Sequence, residues 1–198
     1  MHGGCRRFAA GAVVLLLSTF ALVAPAEATG PVVGTGTVSC AISAHFSFDP
    51  PLSSPGTATT ETITVAANLK GCSGTGDGTR ITKGKVGGTA TAAGNDCSVL
   101  AGTHATNLTT TTVWKTTKNT PTLANTSAAF ASTTGVADGN GKVRLSATGT
   151  VTSGSFSGDS ASVSALLSKS LNSIGNACLK GKLKAVGTVA SGSSVSLT

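Results

Sequence analysis

The chain has 198 residues, of which 39% are hydrophobic, 11% charged and 4% aromatic, and its formal net charge at pH 7 is +7. Typical domains carry about a quarter charged residues, so this chain, with only three histidines, offers few side chains for acid–base or metal chemistry. Its 26 glycines follow no three-residue period, and no segment recurs at periods of about 20 to 50 residues, which excludes collagen and solenoid repeats.

The N-terminal segment has the features of a secretory signal peptide. Arg6 and Arg7 precede an apolar run at 8–23 that ends in small residues, so we expect 1–28 to be removed and 29–198 to form a single domain. The run is shorter than the about 20 residues that a transmembrane helix needs. We therefore expect a secreted protein, extracellular or attached to the cell envelope, with no membrane span after signal removal.

Four cysteines remain after that cleavage, at Cys40, Cys72, Cys97 and Cys178. An even count in an exported chain predicts two disulfides. Three pairings are possible, and we prefer Cys40 with Cys72 and Cys97 with Cys178 because each loop then stays within one half of the chain. The wide spacing disfavours a zinc site, and we expect neither a metal nor another cofactor.

Alternation of apolar and polar residues predicts strands along most of the chain. The first strand covers 38–48, and its inward face comprises Val38, Cys40, Ile42, Ala44, Phe46 and Phe48. The segments 63–69 and 143–151 alternate in the same way. Weaker strand candidates are 79–87, 108–117, 128–132, 161–167 and 179–190. A short helix within 161–174 is the alternative to the strand at 161–167.

Turn sequences such as Asp49-Pro50-Pro51 and Asp138-Gly139-Asn140-Gly141 separate these segments, which indicates an antiparallel all-β domain. Two-faced strands without crossover helices form either a sandwich of two sheets or a small closed barrel. We favour an antiparallel β-sandwich, immunoglobulin-like or jelly-roll-like, in which the Cys40 disulfide links the sheets or a corner. Trp114 is predicted to lie in the core beside the second disulfide.

A family resemblance rests on four short sequence segments, namely Phe46-Ser-Phe48-Asp-Pro50-Pro51-Leu52, Leu69-Lys-Gly71-Cys72, Gly154-Ser-Phe156-Ser-Gly158 and Cys178-Leu-Lys-Gly181. Across 34–190 the chain resembles small secreted β-sandwich proteins of unknown function from actinobacteria. The resemblance implies an exported, disulfide-bonded β-sandwich. It implies no reaction and supplies no active-site residues.

Two histidines, His45 on the polar face of the first strand and His104 in a predicted loop, are the candidates for catalysis. Either would need a carboxylate close by, and carboxylates are scarce in this chain. We therefore expect a non-catalytic interaction or structural protein of the cell envelope or medium and predict no catalytic residues. A small secreted hydrolase that uses His45 or His104 is the alternative.

Lysines form two clusters. Lys180, Lys182 and Lys184 recur at period two and predict three positive charges on one strand face, whereas Arg80, Lys83 and Lys85 form a looser group. Such charges either bind anionic cell-envelope polymers or glycans or guard an exposed sheet edge against mispairing. We favour the guarding role. A nucleic-acid partner is not expected, because no aromatic residues accompany the lysines to stack bases.

Overall fold

The computed structural model describes residues 30–198, so the predicted signal peptide at 1–28 lies outside the described residues. The described part comprises, in chain order, β1 (Val38–Leu52), β2 (Glu61–Gly74), β3 (Ile81–Ala92), β4 (Gly102–Thr116), β5 (Thr126–Ala137), β6 (Lys142–Gly154), β7 (Ser160–Ser170), α1 (Leu171–Leu179), β8 (Leu183–Gly187) and β9 (Ser194–Leu197). Short 3₁₀ helices precede β3 and β4, at Gly76–Arg80 and Cys97–Leu100. The predicted antiparallel all-β class is confirmed.

The strands form one sheet that closes on itself. From β1 to β7 each strand pairs antiparallel with the next, and β7 then pairs with β9. The first residues of β1 pair with β9 and its later residues with β8, so these two short strands share the position between β7 and β1. The result is a closed antiparallel barrel and not the predicted sandwich of two sheets.

Whether the sheet closes depends on the register between its strands. The alternation of apolar and polar residues along a strand does not specify that register. An alternating strand has one inward face whether that face meets a second sheet or the lumen of a barrel. Here the long strands β1 to β7 are joined by short connections, so each pairs with its successor, and β1 is long enough to receive two closing strands. Closing the sheet satisfies the backbone groups that the edge strands of an open sheet would leave exposed.

The C-terminal part differs from the predicted elements. The segment 160–170 is strand β7, and the helix begins only at Leu171, where Ser170 caps it by accepting a hydrogen bond from the Ser173 N–H. Ile174 and Cys178, one helical turn apart, are the buried residues of α1. The predicted strand at 179–190 is thus mostly wrong, because only Leu183–Gly187 is extended.

The predicted turn at Asp49-Pro50-Pro51 is also wrong, because these residues lie within β1. The register between β1 and β8 shifts between Ser47 and Leu52, which accommodates two prolines in a strand. The predicted inward residues of β1 do line the interior: five of them are buried, and Phe46 is half-buried.

Two disulfides are present, as predicted, and they join Cys40 to Cys72 and Cys97 to Cys178. The first links the neighbouring strands β1 and β2 where their register shifts, so it does not connect two sheets. The second fastens the 3₁₀ helix Cys97–Leu100 to α1 at one end of the barrel. Trp114 packs in the core cluster that contains Cys40, and not beside the second disulfide as predicted.

Candidate binding site inside the barrel

The barrel encloses an apolar cavity of about 90 Å³. Strands β1 to β7 and β9 all contribute inward-facing residues to its wall, among them Ile42, Val65, Val86, Thr110, Ala128, Ala147, Ala161 and Val195. Trp114, which is 6% exposed, forms part of this wall and packs edge-on against Phe156, with ring centroids 5.9 Å apart.

The cavity exists because small residues occupy inward positions of a closed sheet. A barrel of about eight strand positions has an interior that large side chains fill completely or that otherwise retains room for one small ligand. In this protein the wall includes the alanines Ala44, Ala67, Ala128, Ala147, Ala161 and Ala165. Methyl groups from facing strands do not reach the barrel axis, so space remains between them.

A second apolar cavity of about 40 Å³ continues toward the end of the barrel that α1 and the second disulfide close. Both cavities are lined by Phe46, Val65, Leu108, Thr133 and Leu145, so these side chains form the partition between them. Thr106 also lines the smaller cavity, and its buried hydroxyl has no hydrogen-bond partner.

The pairing between β5 and β6 is interrupted by a shift in register beside the larger cavity. Ala129 pairs with Thr150 and Thr134 pairs with Ser146, and the residues between these pairs are unpaired, four on β5 against three on β6. Thr133 and Ser146 lie at the interruption and line the cavity, and Ser146 is exposed to solvent. The shift in register therefore lies directly beside the cavity.

Glu61 is a buried acid that the sequence analysis missed. Its side chain is 0% exposed and neither carboxylate oxygen has a hydrogen-bond partner. Burial raises the pKa of Glu61 from 4.5 to about 7, because a low-polarity environment disfavours the charged form. The signal was present in the sequence, since Glu61 is in phase with Ile63 and Val65, which also face inward.

The two histidines are not paired with carboxylates. His45 is exposed on the outer face of β1, opposite Ala66 on β2. His104 lies in β4 and its Nε2 contacts the carbonyl oxygen of Ala101. The oxygens of nearby Asp96 accept hydrogen bonds from backbone N–H groups of the loops around them. Residues 30–198 therefore contain no histidine–carboxylate hydrogen bond of the kind that the hydrolase alternative requires.

Lys180, Lys182 and Lys184 do not lie on one strand face, as the sequence had predicted they would. Lys180 caps the C-terminus of α1, Lys182 lies in the following turn, and only Lys184 belongs to β8. The period-two spacing was therefore misleading, because α1 and a turn occupy this segment. Within the described residues no group of three or more His, Cys, Asp or Glu side chains is placed to hold a metal ion.

No family model, curated protein or solved structure matches the chain. Within residues 30–198, the structure contains no helix with the length and apolar character needed to cross a membrane.

Proposed function

We propose that this protein is an exported, disulfide-stabilised, non-catalytic binding protein that holds a small apolar molecule inside its barrel. The observation that carries the proposal is the apolar cavity to which all strands but β8 contribute. Export rests on the signal-like N-terminal segment and on the two disulfides, which persist mainly in oxidising compartments. Membership of the actinobacterial family that the sequence resembles is part of the same proposal.

The size and chemistry of the cavity define the ligand class. An engineered apolar cavity of about 150 Å³ binds benzene. The larger cavity here, about 90 Å³, is smaller, so a molecule of that size would enter only if side chains of the wall move outward. Rotation of the half-buried Leu108 and Leu145 would join the two cavities and admit a longer molecule. The wall carries no charged group, so ionic ligands would lose hydration without compensation.

The interruption between β5 and β6 supplies a route into the cavity. Shifts in register also occur between β1 and β2, β3 and β4, β4 and β5, and β6 and β7, but the shift between β5 and β6 leaves more residues without a partner than any of these. At the interruption no residues are paired between Ala129 and Thr134, so we expect this part of the wall to open more readily than the paired parts. Local openings of this kind have lower free energy than unfolding of the whole domain.

Trp114 is the only tryptophan in the chain and lines the cavity, so its fluorescence reports directly on the interior. Titration with benzene and toluene should change its emission in a saturable manner and raise the melting temperature. Ala147→Leu and Ala128→Val fill the cavity from β6 and β5, and both should weaken binding at least tenfold.

Ala66→Leu is the matched control, because Ala66 is exposed on the outer face of β2 and added methyl groups there do not enter the cavity. It should bind the probes as the parent protein does. If the parent protein shows no saturable change with any of these probes, or if Ala66→Leu weakens binding as much as the two filling variants, the proposed function is wrong.

A further inference from the structure

Three lysines form a row across the outer surface of the barrel. Strand registers pair Lys70 with Lys83 and Lys83 with Lys115, and all three side chains are exposed. Neighbouring strands are about 4.8 Å apart, so the Cα atoms of this lysine row span about 10 Å. Lys85 lies two residues farther along β3 and is also exposed, which places a fourth positive charge beside the row.

Within residues 30–198, no acidic side chain forms a salt bridge with the lysine row. Like charges on directly opposed residues destabilise an antiparallel pair, and the row contains two such pairs. Glu61 is the only acidic residue of β2, β3 and β4, and it is buried in the interior. Asp77, in the connection between β2 and β3, forms its ion pair with Arg80. The fold itself gains no stability from this arrangement.

Protection of a sheet edge does not explain the lysines either. Lys83 and Lys85 lie on β3, which is hydrogen-bonded to β2 along one side and to β4 along the other. Because the sheet is closed, these strands present no free edge to guard. The edge-guarding role that the sequence favoured for Lys83 and Lys85 therefore does not apply in this sheet, and binding of an anion is the alternative role that the sequence offered.

An open groove of about 370 Å³ adjoins the lysine row on the outer face of β1, β2 and β3. Ser43 pairs with Asn68 and Asn68 with Lys85, and these three residues line the groove together with His45. Ala66 forms part of its surface and leaves it shallow. The groove therefore offers hydroxyl, amide and imidazole groups for hydrogen bonding beside a concentrated positive charge.

We infer that the lysine row and the adjoining groove bind a linear polymer in which phosphate groups alternate with hydroxyl-rich units. Lysine ammonium groups bind phosphate as compact point charges. Ser43, His45 and Asn68 hydrogen-bond the hydroxyl-rich units. A nucleic acid would require large aromatic side chains to stack its bases, and no Phe, Tyr or Trp side chain lines the groove or belongs to the row.

The probe for this site is purified polyglycerol phosphate, with binding measured by calorimetry at several salt concentrations. The triple variant Lys70→Gln, Lys83→Gln, Lys115→Gln should bind at least tenfold more weakly, and the dependence of log K on log salt should become shallower by about three. The variant should also be at least as stable to urea as the parent, because it removes two like-charge pairs. A loss of stability would contradict the assignment of the row to binding.

The matched control is Lys180→Gln, Lys182→Gln, Lys184→Gln, which removes the same charge from exposed positions outside the row and should change affinity less than threefold. Equal losses in the two triple variants would show that only net charge matters and would overturn the site.

Asn68→Ala tests the groove. This variant should weaken binding of polyglycerol phosphate and leave binding of inorganic polyphosphate unaffected; equal effects on both polymers would overturn the role of the groove. Tighter binding of a single-stranded DNA oligomer than of polyglycerol phosphate would overturn the ligand class.

Discussion

Trp114 and Thr126, on the neighbouring strands β4 and β5, are joined by a 2.7 Å hydrogen bond from the indole Nε1 to the threonine Oγ1. The Thr126 hydroxyl in turn donates to the carbonyl oxygen of Ser155 at 2.9 Å. One buried hydroxyl therefore satisfies two buried polar groups, which allows the large indole to lie in an apolar interior without an unpaired N–H. This pair fixes one wall of the cavity.

Thr126→Val should destabilise the protein by about 2 kcal/mol or more, because it leaves both the Trp114 N–H and the Ser155 carbonyl unpaired in the interior. Urea denaturation followed by tryptophan emission measures the free energy of unfolding. Thr111→Val, at an exposed position on β4, should change that free energy by less than about 0.5 kcal/mol. Similar losses of unfolding free energy in both variants would show that the Trp114–Thr126 hydrogen bond contributes no more to stability than an exposed threonine does.

Two glycines of β3 should respond oppositely to alanine. A Cβ at Gly84 would lie 3.0 Å from Leu69 Cδ1 and 3.2 Å from Trp114 Cε3, whereas a Cβ at Gly87 would meet nothing within 4 Å. Gly84→Ala should therefore lower the free energy of unfolding by about 1 to 3 kcal/mol and shift tryptophan emission. Gly87→Ala should be neutral or stabilising by up to about 1 kcal/mol. If Gly84→Ala is as stable as Gly87→Ala, the inference of tight packing around Gly84 is wrong.

Glu61 makes stability depend on pH. Its pKa is raised from 4.5 to about 7 in the folded state, so the folded protein binds a proton more tightly than the unfolded chain does, and stability falls as pH rises through this interval. The full difference corresponds to about 3 kcal/mol. Glu61→Gln cannot ionise, so its free energy of unfolding should stay nearly constant between pH 5 and 8 and exceed that of the parent at pH 8.

The aspartates act in a different pH range and do not mask this effect. Backbone hydrogen bonds from Thr35, Ser98 and Lys142 are the main causes that lower the pKa values of Asp77, Asp96 and Asp138 respectively. Their stabilising contributions are complete above the ordinary aspartate pKa of 3.8 and disappear on further acidification. A parent protein that gained stability from pH 5 to pH 8 would contradict the assignment to Glu61.

The two disulfides should contribute unequally to stability. In the chain-entropy model a loop spanning 81 residues, as for Cys97–Cys178, stabilises by about 4.5 kcal/mol, and one spanning 32 residues, as for Cys40–Cys72, by about 3.7 kcal/mol. Replacing both cysteines of a pair by alanine and measuring urea denaturation tests this order. The loop model is wrong here if loss of the Cys40–Cys72 disulfide lowers stability more.

Local patterns predicted much of the secondary structure and part of the core. The inward face of β1 follows from strict alternation between Val38 and Phe48, and the same reasoning extended to Glu61 would have identified the buried acid. Alternation did not identify α1, because a helix as short as Leu171–Leu179 buries only Ile174 and Cys178. Two residues one turn apart are too few to distinguish a helical period from a strand.

The sequence by itself determined the antiparallel all-β class, the presence of two disulfides and the inward residues of the longest strands, because period-two alternation and cysteine count are local properties. Only the tertiary structure decided that the sheet closes, that alanines from different strands leave a cavity, and that Lys70, Lys83 and Lys115 form a row. These features depend on strand register and on contacts between distant segments, which no local pattern specifies. The clustering of Lys70, Lys83 and Lys115 is visible only once the register of β2, β3 and β4 is known.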